Sequence, residues 1–339
     1  MRRIFLAVGL IGLLATVGVA VAAAAKPGTS SSIGSGTVFL PNPVADLQNQ
    51  SLADQKDADY PALAAAYHGV TLTDLDGSGR LVGRWANIVS ETGDPAYSPT
   101  NTFNYRRDDD RFEQVMAYYW VTEAQKYIQS LGFGIWLRPV NMESQDLRIN
   151  QWGADNSFSW DKKDMIRLGK GGVDDAEDAE VIVHEYGHAI QDSQQDPFGY
   201  GFSVEARSIG EGFADYWAVT VSNVLAPTPD APCVADWDSV SYDPTAPHCL
   251  RRTDENLHYP EDLTGAVHAD GRIWSRALWD IRQELGHRTA DTVVLEGQFG
   301  QRDPTMPQLA TSTVAAAQRL YGTAVANRVR GAFQARGIL

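Results

Sequence analysis

Two histidines, His184 and His188, stand four residues apart with Glu185 beside the first, inside the run Val181-Ile-Val-His-Glu-Tyr-Gly-His-Ala-Ile190. On an α-helix, positions i and i+4 lie one above the other on a single face. Both imidazoles can therefore grip one metal ion, and the neighbouring carboxylate points toward whatever that ion binds. This is the H-E-x-x-H zinc pattern. A helix carrying two exposed histidines by chance is the bland alternative, but the chain holds only 7 histidines. The apolar residues on either side also predict a helix buried nearly all round. Two imidazoles and a carboxylate without partners would be costly there. The acidic run from Asp174 to Glu180 suits the positive N-terminal end of such a helix.

Catalytic zinc takes three protein ligands and keeps a fourth position for water. The third ligand is sought in Ser208-Ile-Gly-Glu-Gly-Phe-Ala-Asp-Tyr-Trp-Ala218, where Glu211 and Asp215 again share an i, i+4 face among apolar neighbours. Glu211 is the candidate ligand. Asp215, one turn on, is placed to accept the other ring N–H of a ligand histidine and so fix its tautomer. Glu185 is the candidate general base: it takes a proton from water held at the metal and returns it to a leaving amine.

His184-Glu-Tyr-Gly-His188 followed by Gly210-Glu-Gly-Phe-Ala-Asp215 resembles the gluzincin metallopeptidases, and the fungalysin-like wording more closely than the thermolysin-like one. The resemblance covers roughly residues 105 to 339. It implies a thermolysin-like α+β fold of two lobes, the first carrying β-strands and the second helical, with the metal helix between them. It implies Zn2+ held by His184, His188 and Glu211, and a peptide or protein substrate. By the same resemblance Asn156-Ser-Phe158 is similar to an edge strand that pairs with an extended substrate backbone, so Asn156 and Phe158 are substrate-binding candidates. Cys249-Leu-Arg-Arg252 resembles a segment that brings an arginine to the substrate carbonyl, with Arg251 the better match and Arg252 the next. Gly265-Ala-Val-His-Ala-Asp-Gly271 resembles the segment whose histidine donates to the tetrahedral intermediate, which makes His268 a catalytic candidate and Asp262 its orienter. Glu180 stands where relatives bind Ca2+, but the sequence offers it no convincing partners.

At 339 residues the chain can bury a sizeable core. Residues 1–25 read as a secretory signal peptide: Arg2 and Arg3, then the apolar run from Ile4 to Val21, then small residues through Ala25. A membrane anchor and a twin-arginine signal are the rival readings. The formal charge is −15 and grows two units more negative once Arg2 and Arg3 leave. Such a surface repels nucleic acid and anionic membranes, so the expectation is a secreted, extracellular monomer with no nucleic-acid partner and no membrane contact after signal removal. In that compartment Cys233 and Cys249 read as a disulfide stabilising by about 3 kcal/mol. The expected organisation is an N-terminal β-rich segment over 26–104, a catalytic lobe over 105–205, and a helical lobe over 206–339. A β-hairpin is expected around Val70–Thr73 and Leu81–Val89, with Asp74–Gly79 as its turn. A core-facing helix is expected from Phe112 to Leu131, stopped by Gly132.

Two features depart from the resembled families. Roughly 80 residues separate the leader from the long helix, fewer than the large inhibitory pro-region of those families. The Pro-rich cysteine loop at 226–249 is also an insertion. Two other classes remain open at this level: a zinc amidase acting on cell-wall peptides, and a non-catalytic zinc-containing surface binding protein.

Overall fold

The long helix expected from the apolar periodicity is the central beam of the molecule. In a computed structural model it spans Arg111–Leu131, and Gly132 ends it at φ 108°, a left-handed cap that a side chain would resist. The structure describes residues 32–89, 94–150, 153–160, 163–194, 202–243 and 245–339. The expected signal peptide lies outside them. Residues 31–339 form one unit, and among the described residues no helix is long and apolar enough to cross a membrane.

In chain order the elements are β1 (Ser32–Val38), α1 (Pro43–Leu47), β2 (His68–Leu75), β3 (Ala86–Ile88), β4 (Thr102–Phe103), α2 (Arg111–Leu131), β5 (Gln145–Ile149), β6 (Phe158–Trp160), β7 (Met165–Leu168), α3 (Ala179–Ser193), α4 (Val204–Leu225), β8 (Cys233–Val234), β9 (Arg251–Arg252), α5 (Val267–Leu285), α6 (His287–Gln298), α7 (Met306–Tyr321) and α8 (Thr323–Ala335). A three-stranded sheet runs in the order β2-β1-β4, and a four-stranded one runs β3-β5-β7-β6. All strands precede the metal helix except the short β8–β9 pair. The α+β architecture expected from the resemblance is present, with helices α4 to α8 dominating the second half.

The hairpin expectation holds only next to its turn. The Asp74–Gly79 turn forms, with the Asp76 N–H donating to the Val82 carbonyl and the Arg84 N–H to the Asp74 carbonyl, and an antiparallel bridge joins Leu75 to Gly83; beyond it the flanks serve different sheets. β2 pairs antiparallel with β1, and β3 pairs parallel with β5. The reason is packing on α2: Tyr118 donates to the Thr73 carbonyl, so β2 is held on the helix while β3 joins the sheet beyond. α6 was not anticipated. Its buried Ala290, Val293, Val294 and Leu295 carry a helical period, and its buried Asp291 accepts hydrogen bonds from Tyr127 on α2 and from Tyr216 and Thr220 on α4, tying three helices together.

The acidic run before α3 does more than complement a helix dipole. Asp174, Asp175, Glu177, Asp178 and Glu180 are all buried. Glu177 receives Arg107 and the Trp237 indole N–H. Asp178 caps α3 through the Glu180 N–H and also accepts from the backbone of Trp237 and Asp238. Glu180 accepts from the Ser222 hydroxyl and the Ala235 N–H at 2.6 and 2.7 Å. At the position where relatives bind calcium, this carboxylate is thus engaged by hydrogen bonds.

Candidate metal centre and active site

Two helices and the first turn of a third build the centre. α3 presents His184 and His188 one turn apart, their rings 5.0 Å between centroids. α4 runs against α3 at Gly187, where a Cβ would stand 3.0 Å from the Ala214 Cα. α4 meets α5 at Gly212, where a Cβ would clash with the Gly271 carbonyl. These two glycines permit backbone approaches that larger residues forbid. They bring Glu211, next to Gly212, within reach of His184 and His188 on one side and His268 on the other.

The resulting distances are short. Glu211 Oε2 lies 3.3 Å from His184 Nε2, 3.8 Å from His188 Nε2 and 3.3 Å from His268 Nε2. Ligating atoms of His184, His188 and Glu211 fall within 4.8 Å of one another. His184 Nδ1 lies 2.9 Å from Asp215 Oδ1. Asp215, 1% exposed, also receives Arg251 in a two-pronged contact at 2.8 and 2.7 Å. One carboxylate therefore orients His184 and Arg251 together.

The residues fit a metal ion. Glu211 Oε2 is buried and satisfies no hydrogen bond, yet it faces three imidazole nitrogens. Two imidazoles and one carboxylate are a donor set that catalytic zinc takes, with bonds of about 2.0–2.2 Å. Burial alone would raise the Glu211 carboxyl, but His184, His188 and His268 outweigh it and hold its pKa at about 2. Burial likewise opposes Asp215, and Arg251 and His184 still keep it well below the usual carboxylate range. Both groups stay ionised and ready to hold positive charge.

Glu185 is different. Burial, helped by Glu211 and Asp175, pushes its pKa up to about 7, against His184 and a backbone hydrogen bond from Ser159 that lower it. Its Oε2 is buried and has no hydrogen-bond partner. Ser159 belongs to β6, the edge strand of the four-stranded sheet, so the strand that lines the cleft also touches the candidate base. A cavity of about 770 Å³ joins these groups, lined by Asn156, Phe158, Glu185, Glu211, Arg251 and His268 among others.

Every candidate named from the sequence therefore borders one cavity or holds a residue that does, apart from four. Arg252 turns to Asp230 and Asp254. Asp262 accepts the His258 backbone N–H. Cys233 and Cys249 are joined in a disulfide, 5.6 Å between Cα atoms. Sequence reasoning missed Asp270, whose carboxylate accepts the Thr264 and Gly265 backbone N–H groups and fixes the approach to α5 just before His268. It also missed Asp175 and Asp238 on the cavity wall. The signal for Asp270 was present in its position two residues after His268, at the start of a helix.

Residues 151–298 match the family model of the fungalysin metallopeptidases (M36), a span that holds every metal-ligand and catalytic candidate. The fold is similar to the precursor of protealysin, a metalloproteinase from Serratia proteamaculans, with a TM-score of 0.50 and 16% identity over 67% of this chain and 79% of that one. No curated protein matches the chain. Residues 151–298 thus carry a segment similar to the fungalysin metallopeptidases, set in an α+β fold similar to that of the protealysin precursor.

Proposed function

We propose that the protein is a secreted endopeptidase in which Glu185 is the general base and His184, His188 and Glu211 hold the zinc. The observation that carries this reading is the convergence of Glu211 Oε2 on the His184 and His188 rings, with Glu185 buried beside them. Zinc, when bound, supplies Lewis acidity that lowers the pKa of a water and polarises a carbonyl. The residues do the rest. Asp215 holds the His184 ring through Nδ1 and leaves Nε2 for ligation. Glu185 accepts the proton of the attacking water and delivers it to the leaving nitrogen. His268 stands beside Glu211 with its side chain 60% exposed to the cleft, where it can donate to the oxyanion formed on attack. Arg251, pinned by Asp215, serves the neighbouring substrate carbonyl. Asn156 and β6 offer polar groups along which an extended peptide can lie. Export is supported by the N-terminal signal pattern, the strongly negative charge and the Cys233–Cys249 disulfide.

The test is Glu185→Gln beside wild type, with zinc content and casein hydrolysis measured on both and muropeptides as a second substrate. The expected result is unchanged zinc and turnover lower by about 10²–10⁴-fold. Equal turnover removes Glu185 from the chemistry, and hydrolysis of muropeptides without casein replaces the peptidase reading with an amidase.

A further inference from the structure

The same cavity has an acidic wall that the chemistry above leaves unused. Asp155, Asp175 and Asp238 bring carboxylate oxygens within 4.8 Å of one another. Asp175 and Asp238 are 3% and 4% exposed, they line the cavity, and their Oδ1 atoms, like that of Asp155, are buried without a hydrogen-bond partner. Burial and the neighbouring carboxylates raise all three pKa values, Asp175 to about 7. Arg251 is a cation close enough to oppose this at Asp238, but its guanidinium is bound to Asp215. Carboxylates buried this way either hold a proton or ionise against a cation that meets them.

We propose that Asp175 and Asp238, with Asp155 behind them, form a pocket for the lysine or arginine side chain of a substrate residue next to the cleaved bond. The inference rests on the peptidase reading. Three observations favour a side chain over a metal ion. Val181, Val234 and Leu250 line the same cavity and offer apolar wall to the methylene stem of a basic residue. Ser157 and Tyr242, the nearby hydroxyls, already donate to Asp175 and to the Asp155 backbone carbonyl, whereas calcium needs six to eight oxygens. Asp175 and Asp238 also line the same cavity as Glu185, which puts the pocket in the cleft that holds the candidate base. Asp238 and Tyr242 sit in the loop closed by Cys233–Cys249, so the disulfide loop supplies part of the pocket and gives this insertion a role in selectivity.

The experiment compares kcat/KM of the zinc-loaded full chain on peptides that differ only beside the scissile bond, carrying arginine, lysine, leucine or glutamate on either side. Wild type is expected to favour a basic residue on one side by about 30-fold or more over leucine. Asp175→Asn and Asp238→Asn are expected to erase that ratio and to melt at a higher temperature than wild type without substrate, and Asp238→Asn, at a residue that is not among the groups acting on Glu185, is expected to keep leucine-peptide cleavage. Leucine preference in wild type, unchanged in both variants, overturns the pocket and leaves the peptidase reading standing. A stoichiometric Ca2+ lost on Asp238→Asn, with no basic preference, overturns it in favour of a metal site. Failure of wild type to cleave any peptide or casein overturns both readings.

Discussion

Two acidic clusters line one cavity, and they differ in what answers their charge. Around Glu211 and Asp215, three imidazoles and Arg251 face two carboxylates, which hold their protons only in strong acid. Around Asp175 and Asp238, the carboxylates face one another and a third carboxylate, and their pKa values rise. Asp215, Asp175 and Asp238 are all buried, while Glu211 is partly exposed. In the proposed reading the first cluster keeps a resident ion, and the second is completed by whatever enters the cleft.

The difference can be broken from either side. The largest expected effect is Glu211→Ala: zinc is lost on dialysis, casein hydrolysis falls to the level of chelator-treated wild type, and the melting temperature stops responding to chelator, because a ligand that binds only the folded state stabilises it. Full zinc in this variant would show that the ion sits elsewhere. Next, Asp215→Ala should weaken zinc binding by about 10–100-fold, since it frees the His184 ring to turn, and should disturb Arg251 at the same time. A competition titration with a chromophoric chelator measures it; an unchanged affinity would leave Asp215 as a partner of Arg251 alone. The smallest effect is expected of Arg252→Ala. Its partners Asp230 and Asp254 are exposed to solvent or nearly so, and such pairs contribute at most about 1 kcal/mol. Casein turnover should be unchanged, and a large loss would transfer the carbonyl-binding role from Arg251 to its neighbour.

The two clusters were also unequally legible in the sequence. The metal cluster comes from two helices whose ligands sit at helical spacings, so His184, His188, Glu211 and Asp215 could be read from local periodicity. Gly187 and Gly212, which let those helices close on each other, gain their meaning only from the partners Ala214 and the Gly271 carbonyl. The acidic pocket draws on positions 155, 175 and 238, with no shared period and the last of them inside a disulfide loop, so only tertiary assembly makes it visible. Asp175 was visible as part of an acidic run, but the run alone suggested a helix dipole rather than a cavity wall. For the fold, α2 and its glycine stop followed from side-chain period and the left-handed cap. The hairpin that stops after one antiparallel bridge, Leu75 to Gly83, shows the limit of the same reasoning: a turn sequence fixes the turn, while the strands beyond it go where α2 and β5 offer burial and pairing.

The account depends most on which atoms surround the metal. X-ray absorption at the zinc edge of the purified protein reads that directly. The expected spectrum has two imidazole nitrogens and carboxylate or water oxygens at about 2.0–2.2 Å, and one imidazole disappears on His188→Ala. Sulfur in the coordination sphere, or an unaltered spectrum in that variant, would contradict the account.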